Sequence, residues 1–268
     1  MFHTKTPYER EWKDLQKKED KFFKNRSVKK ESMLNQKLSE KVPEKLQKTL
    51  DAAFAKAFSL IFQKGTSVIE KTYKKEKLEQ EFQIDHYADE IKQTRKTLHK
   101  FSKKANSVGR TNIAISGVSG IGMGLLGVGI PDIPVFTALI MRSIYEIAMS
   151  FGYEYESEEE KRFILMIIEG AVSYGSNCYQ INLMLDDYIE TGVIPADYQI
   201  EEQIKKTAAT LSKELLYMKF LQGIPVVGAV GGAFDVIYTK HITEYANIKY
   251  RRRFLRDKIK NKESKGRT

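Results

Sequence analysis

Apolar residues recur along this chain at steps of three and four, and no stretch keeps the two-residue alternation of a half-buried strand. Residues 1–48 are Lys/Glu-rich, with Tyr8, Trp12 and Leu15 alone at helical spacing, and read as a basic helical or partly disordered arm. From Pro43, a residue suited to a first helical turn, Leu46, Leu50, Phe54, Ala57, Phe58, Ile61 and Phe62 draw one apolar face that carries a helix to about Tyr73. A more polar helix is predicted over 74–106. After a glycine-rich apolar stretch, the next helix runs from Pro134 to Phe151 and stops at Gly152. Ser157 ahead of Glu158, Glu159 and Glu160 makes a capping-box start for a helix to about Tyr174. Helices over 176–191, closed by Gly192 and Pro195, over 199–221, and from Tyr238 to about Lys260 complete the pattern. The fold class is all-α: a multi-helix bundle with two glycine-rich apolar helical segments and a basic helical N-terminal arm. The expected division is an arm over 1–48, a helical domain over 49–260 and a basic disordered tail over 261–268.

The two apolar segments run from Ile113 to Ile140 around Gly129-Ile130-Pro131 and from Leu221 to Tyr238 around Gly223-Ile224-Pro225. Each leads into a helix bearing Ile-Tyr, at Ile144-Tyr145 and Ile237-Tyr238. Small residues at four-residue intervals, Ser116, Gly120 and Gly124 in one and Gly228 and Gly232 in the other, would let backbones approach closely. Residues 113–130 carry no charge, and about 18 such residues is the threshold for a membrane span. Six glycines and the Pro131-Asp132-Ile133-Pro134 turn make a poor spanning helix, so a buried or interfacial hairpin is expected instead.

Charge divides the chain. Residues 1–110 hold 27 Lys/Arg against 16 Asp/Glu, 111–240 hold 8 against 16, and 241–268 hold 10 against 3. Basic ends around an acidic, apolar middle, with a net charge of +10, favour anionic partners without choosing among them. A single cysteine, Cys178, allows no internal disulfide, and the first residues carry no apolar signal core; both point to a cytoplasmic protein.

Several short motifs invite chemistry that their surroundings do not support. Gly122-Met123-Gly124-Leu125-Leu126-Gly127 has dinucleotide-fingerprint spacing, yet Pro131 and Pro134 would break the helix that must follow it. Ala171-Val172-Ser173-Tyr174-Gly175 is an alanine variant of a hydrolase nucleophile elbow, but helix rather than strand precedes Ser173. His86 with Glu90, and His241 with Glu244, have the spacing of helix-borne ligand pairs, to which Asp132, Glu169 or Asp235 could add carboxylates. No metal and no cofactor is assigned. Charges inside apolar sequence are more informative: Asp132, Arg142, Glu146 and Asp235 form the expected polar core, with Arg142 pairing Asp235, Asp132 or Glu146 because a buried charge needs a partner. Arg251, Arg252, Arg253 and Arg256, interleaved with Phe254 and Leu255, are the expected anionic-surface contacts, and no nucleic-acid recognition module accompanies them.

One resemblance is specific. Gly129-Ile130-Pro131-Asp132-Ile133-Pro134, the helix with Arg142, Ile144 and Ala148, Phe151-Gly152-Tyr153, and Glu158 to Arg162 resemble the EcsC protein family. The stretch from Ile224-Pro225 through Gly231-Gly232 and Asp235 to Tyr250-Arg251-Arg252-Arg253-Phe254 is similar to that family's ending. The resemblance covers about 105–255, with a looser match at Tyr8 to Trp12. It implies a membrane context, because the family's founding member is encoded beside the two components of an ABC transporter of the Ecs type, and it implies no reaction.

The expected function is a non-catalytic, membrane-associated helical accessory protein at the inner face of the cell membrane, with an anionic membrane surface or a membrane transporter subunit as partner. Two alternatives stay open. One is a soluble helical scaffold binding a protein through residues 1–48; the other is a hydrolase or metal enzyme built on Asp132, Asp235 and His241.

Overall fold

The computed structural model describes residues 6–28, 44–63, 67–116, 132–193, 199–222 and 231–265, and among them every regular element is a helix. Helix α1 spans Pro7–Lys24. It begins with a complete capping box: Thr6 Oγ1 accepts from Glu9 N at 3.2 Å, and Glu9 Oε2 accepts from Thr6 N at 2.7 Å. α2 (Glu44–Gln63) and the single turn α3 (Ser67–Glu70) occupy the stretch expected to be one helix. α4 (Lys75–Lys92) and α5 (Arg95–Ser116) divide the next one. Gln93 takes a left-handed backbone, φ 43°, and the Thr94 and Thr97 side chains each accept from the other's backbone N–H, so α5 restarts with its own cap.

α6 (Asp132–Ser150) and α7 (Glu158–Val172) are the core helices. From Arg162 to Val172 every α7 residue is buried, which is why Phe163 to Ile168 is an unbroken apolar run, and buried Glu169 is met by Lys206 at 3.1 Å. Pro134 sits in the first turn of α6, where no amide partner is lost, and Gly152 (φ 82°) ends the helix in the left-handed turn that a side chain would resist. Ser157 caps α7 by accepting from Glu160 N at 3.2 Å. The other half of the expected box is absent, because the Glu160 carboxylate accepts from Tyr250 and Arg253 instead. α8 (Gly175–Thr191) closes at Gly192 (φ 69°) as expected, and α9 spans Ile200–Gln222.

α10, Gly231–Lys265, is 35 residues long, about 50 Å at the helical rise. It packs on α1, α5, α6, α7, α8 and α9. One expectation is corrected here: helix continues past Lys260 into the stretch expected to be a disordered tail. The helical part of the N-terminal arm, α1, docks on the bundle: Leu15 and Phe22 are buried in the same apolar core as Phe54, Ile144 and Ile168, with Phe22 stacked on Tyr245 of α10 at 4.7 Å.

Antiparallel contacts fix one end of the bundle. Phe101 meets Phe254, Asn247 Nδ2 donates to Asn106 Oδ1, and Gly109 lies against Thr243, so α10 begins where α5 ends. Asn112 bonds Glu146 while Phe254 also touches Phe151, which sets α6 antiparallel to α5. The last turn of α5 and the first turns of α6 and α10 therefore share an end. The glycine-rich stretches expected between these helices, 117–131 and 223–230, lie outside the described residues.

Candidate functional site

The polar core forms around Glu146, whose position in the middle of apolar α6 follows from its neighbours. Asn112 of α5 donates Nδ2 to Glu146 Oε2, and Arg142, one helical turn back, reaches Oε1 at 3.4 Å. Burial raises the Glu146 carboxyl above its ordinary range, and the Asn112 hydrogen bond and Arg142 charge oppose that rise. Of the three partners open to Arg142, the described structure supplies Glu146. Asn112 Oδ1 and Arg142 Nε are buried without a hydrogen bond from the described residues. Asp132 opens α6 and Asp235 lies in α10; their side chains lie outside the described structure.

The four arginines expected to contact an anionic surface are each paired within the chain. Arg251 is 3% exposed and bonds both the backbone carbonyl and the carboxylate of Glu11 in α1. Arg252 pairs Glu19 at 2.7 Å and Asp186 at 3.2 Å, Arg253 pairs Glu160 at 2.6 Å, and Arg256 pairs Glu190. The reason is geometric. α10 runs through the assembly, so each turn meets a carboxylate from α1, α7 or α8 rather than water. Arg253 also lies over the Tyr153 ring at 4.2 Å, and its Glu160 partner accepts a hydrogen bond from buried Tyr250 at 2.6 Å.

Residues that sequence reasoning missed dominate this seam. Lys249 is fully buried, with Glu19 Oε1 at 2.6 Å and Asp186 Oδ1 at 2.7 Å. Glu11 and Glu19 continue the stripe of Leu15 and Phe22 on α1, and Lys249 falls on the stripe of Ile242, Tyr245 and Ala246 on α10. Helical spacing alone could have found them, had charged residues been allowed on a buried face.

The candidate catalytic groups do not converge. Ser173 caps the end of α7 with extended backbone before α8, so there is no strand-to-helix elbow beneath it. Cys178 is buried, donates to Gly170 O, and burial pushes its thiol up. His86 Nδ1 stands 4.0 Å from Glu90 on a partly exposed helix face. His241 lines a small pocket with Arg26, Tyr174 and Glu244, and burial, helped by Arg26 and Lys240, pushes its imidazole down to about 4. Among the described residues no three His, Cys, Asp or Glu side chains stand together as a ligand set.

One described helix, Ile133–Ser150, is long and apolar enough to cross a membrane by length and composition, but 89% of it is buried inside the protein. Its apolarity is that of a core helix. Comparison with curated proteins and with solved structures gives no match. The model of the EcsC protein family matches residues 9–255 of the 268, from the first turn of α1 well into α10, and the chain belongs to that family.

Proposed function

We propose that this protein is a non-catalytic accessory protein that docks at the inner face of the cell membrane through its two glycine-rich apolar segments and there serves a membrane transporter subunit. The observation that carries this reading is the shared end of α5, α6 and α10. The described helices that flank the uncharged stretches are α5 and α6 around 117–131 and α9 and α10 around 223–230, and Tyr238 of α10, donating to Glu214 O, brings the end of α9 to the same part of the bundle, so both stretches can meet one surface together. Two further observations favour the segments over the other candidates. The apolar α6 is used up in the core, and the arginines of α10 are used up in ion pairs, so neither is free to hold a bilayer.

The test is flotation of the full-length protein with neutral phosphatidylcholine vesicles at low and high salt. Salt-resistant flotation, reduced by Leu125→Asp or Val226→Asp, is expected, because a charge entering the acyl region costs about 3 kcal/mol. Absence of flotation from every vesicle overturns the membrane reading. A scaffold reading would then lead, with its docking face moved from residues 1–48 to α4, where Ile84, Tyr87 and Ile91 are 67%, 67% and 63% exposed on one face.

A further inference from the structure

The seam between α1 and α10 pairs its cations closely, which makes an adjoining set without partners informative. Between α1, α5 and α10 lies a cleft of about 360 Å³. Lys18 and Lys21 of α1, Arg110 of α5 and Lys240 of α10 line it, with Arg251 at its base and Glu244 as its one carboxylate. None of the first four has a carboxylate within 4 Å among the described residues, whereas Lys249, Arg252, Arg253, Arg256 and Lys258 on the same α10 all do.

Arg251 is incomplete in a second way. Its outer nitrogen is held by Glu11, but its Nε is buried with no hydrogen-bond acceptor among the described residues. A buried donor left unmade costs free energy that a fold normally avoids. The Lys18 ammonium, on an otherwise exposed residue, is pushed down first by desolvation in the cleft and next by the Arg251 charge, with Glu11, Asp14 and Glu244 opposing. Like charges gathered in a concave, partly dry site focus positive potential, and a multiply charged oxyanion relieves them together.

We infer that this cleft is a binding site for a phosphate-bearing anion of small-molecule size, held by Lys18, Lys21, Arg110 and Lys240 above Arg251. The volume is at the small end of ligand pockets, room for a phosphorylated headgroup or a short phosphate ester. Four separate cations on three helices suit an anion with several oxygens better than a lone carboxylate. The site does not depend on membrane insertion. The same phosphate chemistry could arrive free in solution or on an anionic lipid, since Arg110 and Lys240 lie near the bundle end from which the apolar segments leave.

The experiment is calorimetric titration of the full-length protein with inorganic pyrophosphate at constant ionic strength. Saturable one-site binding is expected, weakened about tenfold or more by each of Lys18→Gln and Lys240→Gln. Lys17→Gln, which removes the same charge from α1 outside the cleft, should leave it unchanged. Both cleft residues are exposed, and far-ultraviolet circular dichroism checks that each variant keeps its helices. A second arm uses phosphatidylcholine vesicles with and without phosphatidic acid. Flotation gained with phosphatidic acid and competed away by pyrophosphate identifies the lipid as the source; pyrophosphate binding without that competition identifies a soluble ligand, and either supports the site. If Lys17→Gln weakens binding as much as Lys18→Gln, or if neither pyrophosphate nor phosphatidic acid responds to the cleft variants, the inference is overturned. Flotation on neutral vesicles is a separate readout, so the membrane proposal can fail while the anion site stands.

Discussion

Replacing Lys249 by Met tests whether the charged seam holds α1 to α10. Met matches the lysine stem in length and volume, so the apolar packing of Lys249 is kept and the loss isolates the charge. In the native protein two carboxylates, Glu19 and Asp186, share two cations, Lys249 and Arg252, at 2.6 to 3.2 Å. Removing one partner from a buried pair costs about 3–5 kcal/mol. Here Arg252 remains beside both carboxylates, and the Asp186 side chain is 20% exposed, so the expected loss is at the low end, about 3 kcal/mol. For a chain of this size that corresponds to a fall in Tm of about 6–12 °C.

The assay is thermal and urea unfolding followed by circular dichroism and by the fluorescence of Trp12, the single tryptophan. Trp12 lies on α1 with the Arg252 guanidinium 5.3 Å over its ring, so its emission reports the docking of α1 directly. The double variant Lys249→Met/Asp186→Asn should recover more than half of the loss, because one cation and one carboxylate, Arg252 and Glu19, then remain matched. A loss below about 1 kcal/mol for Lys249→Met, the range of exposed pairs, or simple additivity in the double variant, would refute the view that pairing rather than packing closes the seam.

Two other expectations follow from particular positions. Gly152→Ala should destabilise by about 2–4 kcal/mol, combining the left-handed backbone cost with a Cβ that would overlap the Phe82 ring, whereas Gly192→Ala, with nothing within 4 Å, should cost about 1 kcal/mol; equal losses in urea unfolding would contradict this. For His241 the folded pKa, about 4, lies below the ordinary histidine value of 6.5, so the native state favours the neutral ring. Its stabilising contribution is present above pH 6.5 and is lost as pH falls toward 4, by about 1–2 kcal/mol after allowance for its partial exposure. His241→Asn should flatten stability over that window, and an imidazole NMR titration midpoint near 6.5 would remove the basis for the effect.

Much of the helical order was legible because local chemistry wrote it. Ser157, Gly152 and Gly192 mark ends that the structure keeps, and the helix expected from Ser157 onward is present. The break at Gln93 was not legible, since its cause is a reciprocal bond between Thr94 and Thr97 that also serves as a helix interior. α1 was underrated for a different reason. Half of its buried stripe is Glu11 and Glu19, and charged residues are ordinarily assigned to solvent. Their partners stand far along the chain, Arg251 with Glu11 and Lys249 with Glu19, at separations of 240 and 230 residues. No local pattern in a single sequence carries that pairing.

The same fact governs how the charge of this chain should be read. A net charge of +10 and a run of arginines suggest an anionic partner, yet Arg251 to Arg256 meet carboxylates of their own chain. What distinguishes Lys18, Lys21, Arg110 and Lys240 is not density of charge but lack of a partner in a concave place. A paired cation has its field cancelled within a few ångströms and contributes to stability; an unpaired one in a cleft keeps its field and pays desolvation without return. Substitution should therefore separate the two classes: loss of a seam cation lowers stability, whereas loss of a cleft cation relieves repulsion and leaves stability level or raised.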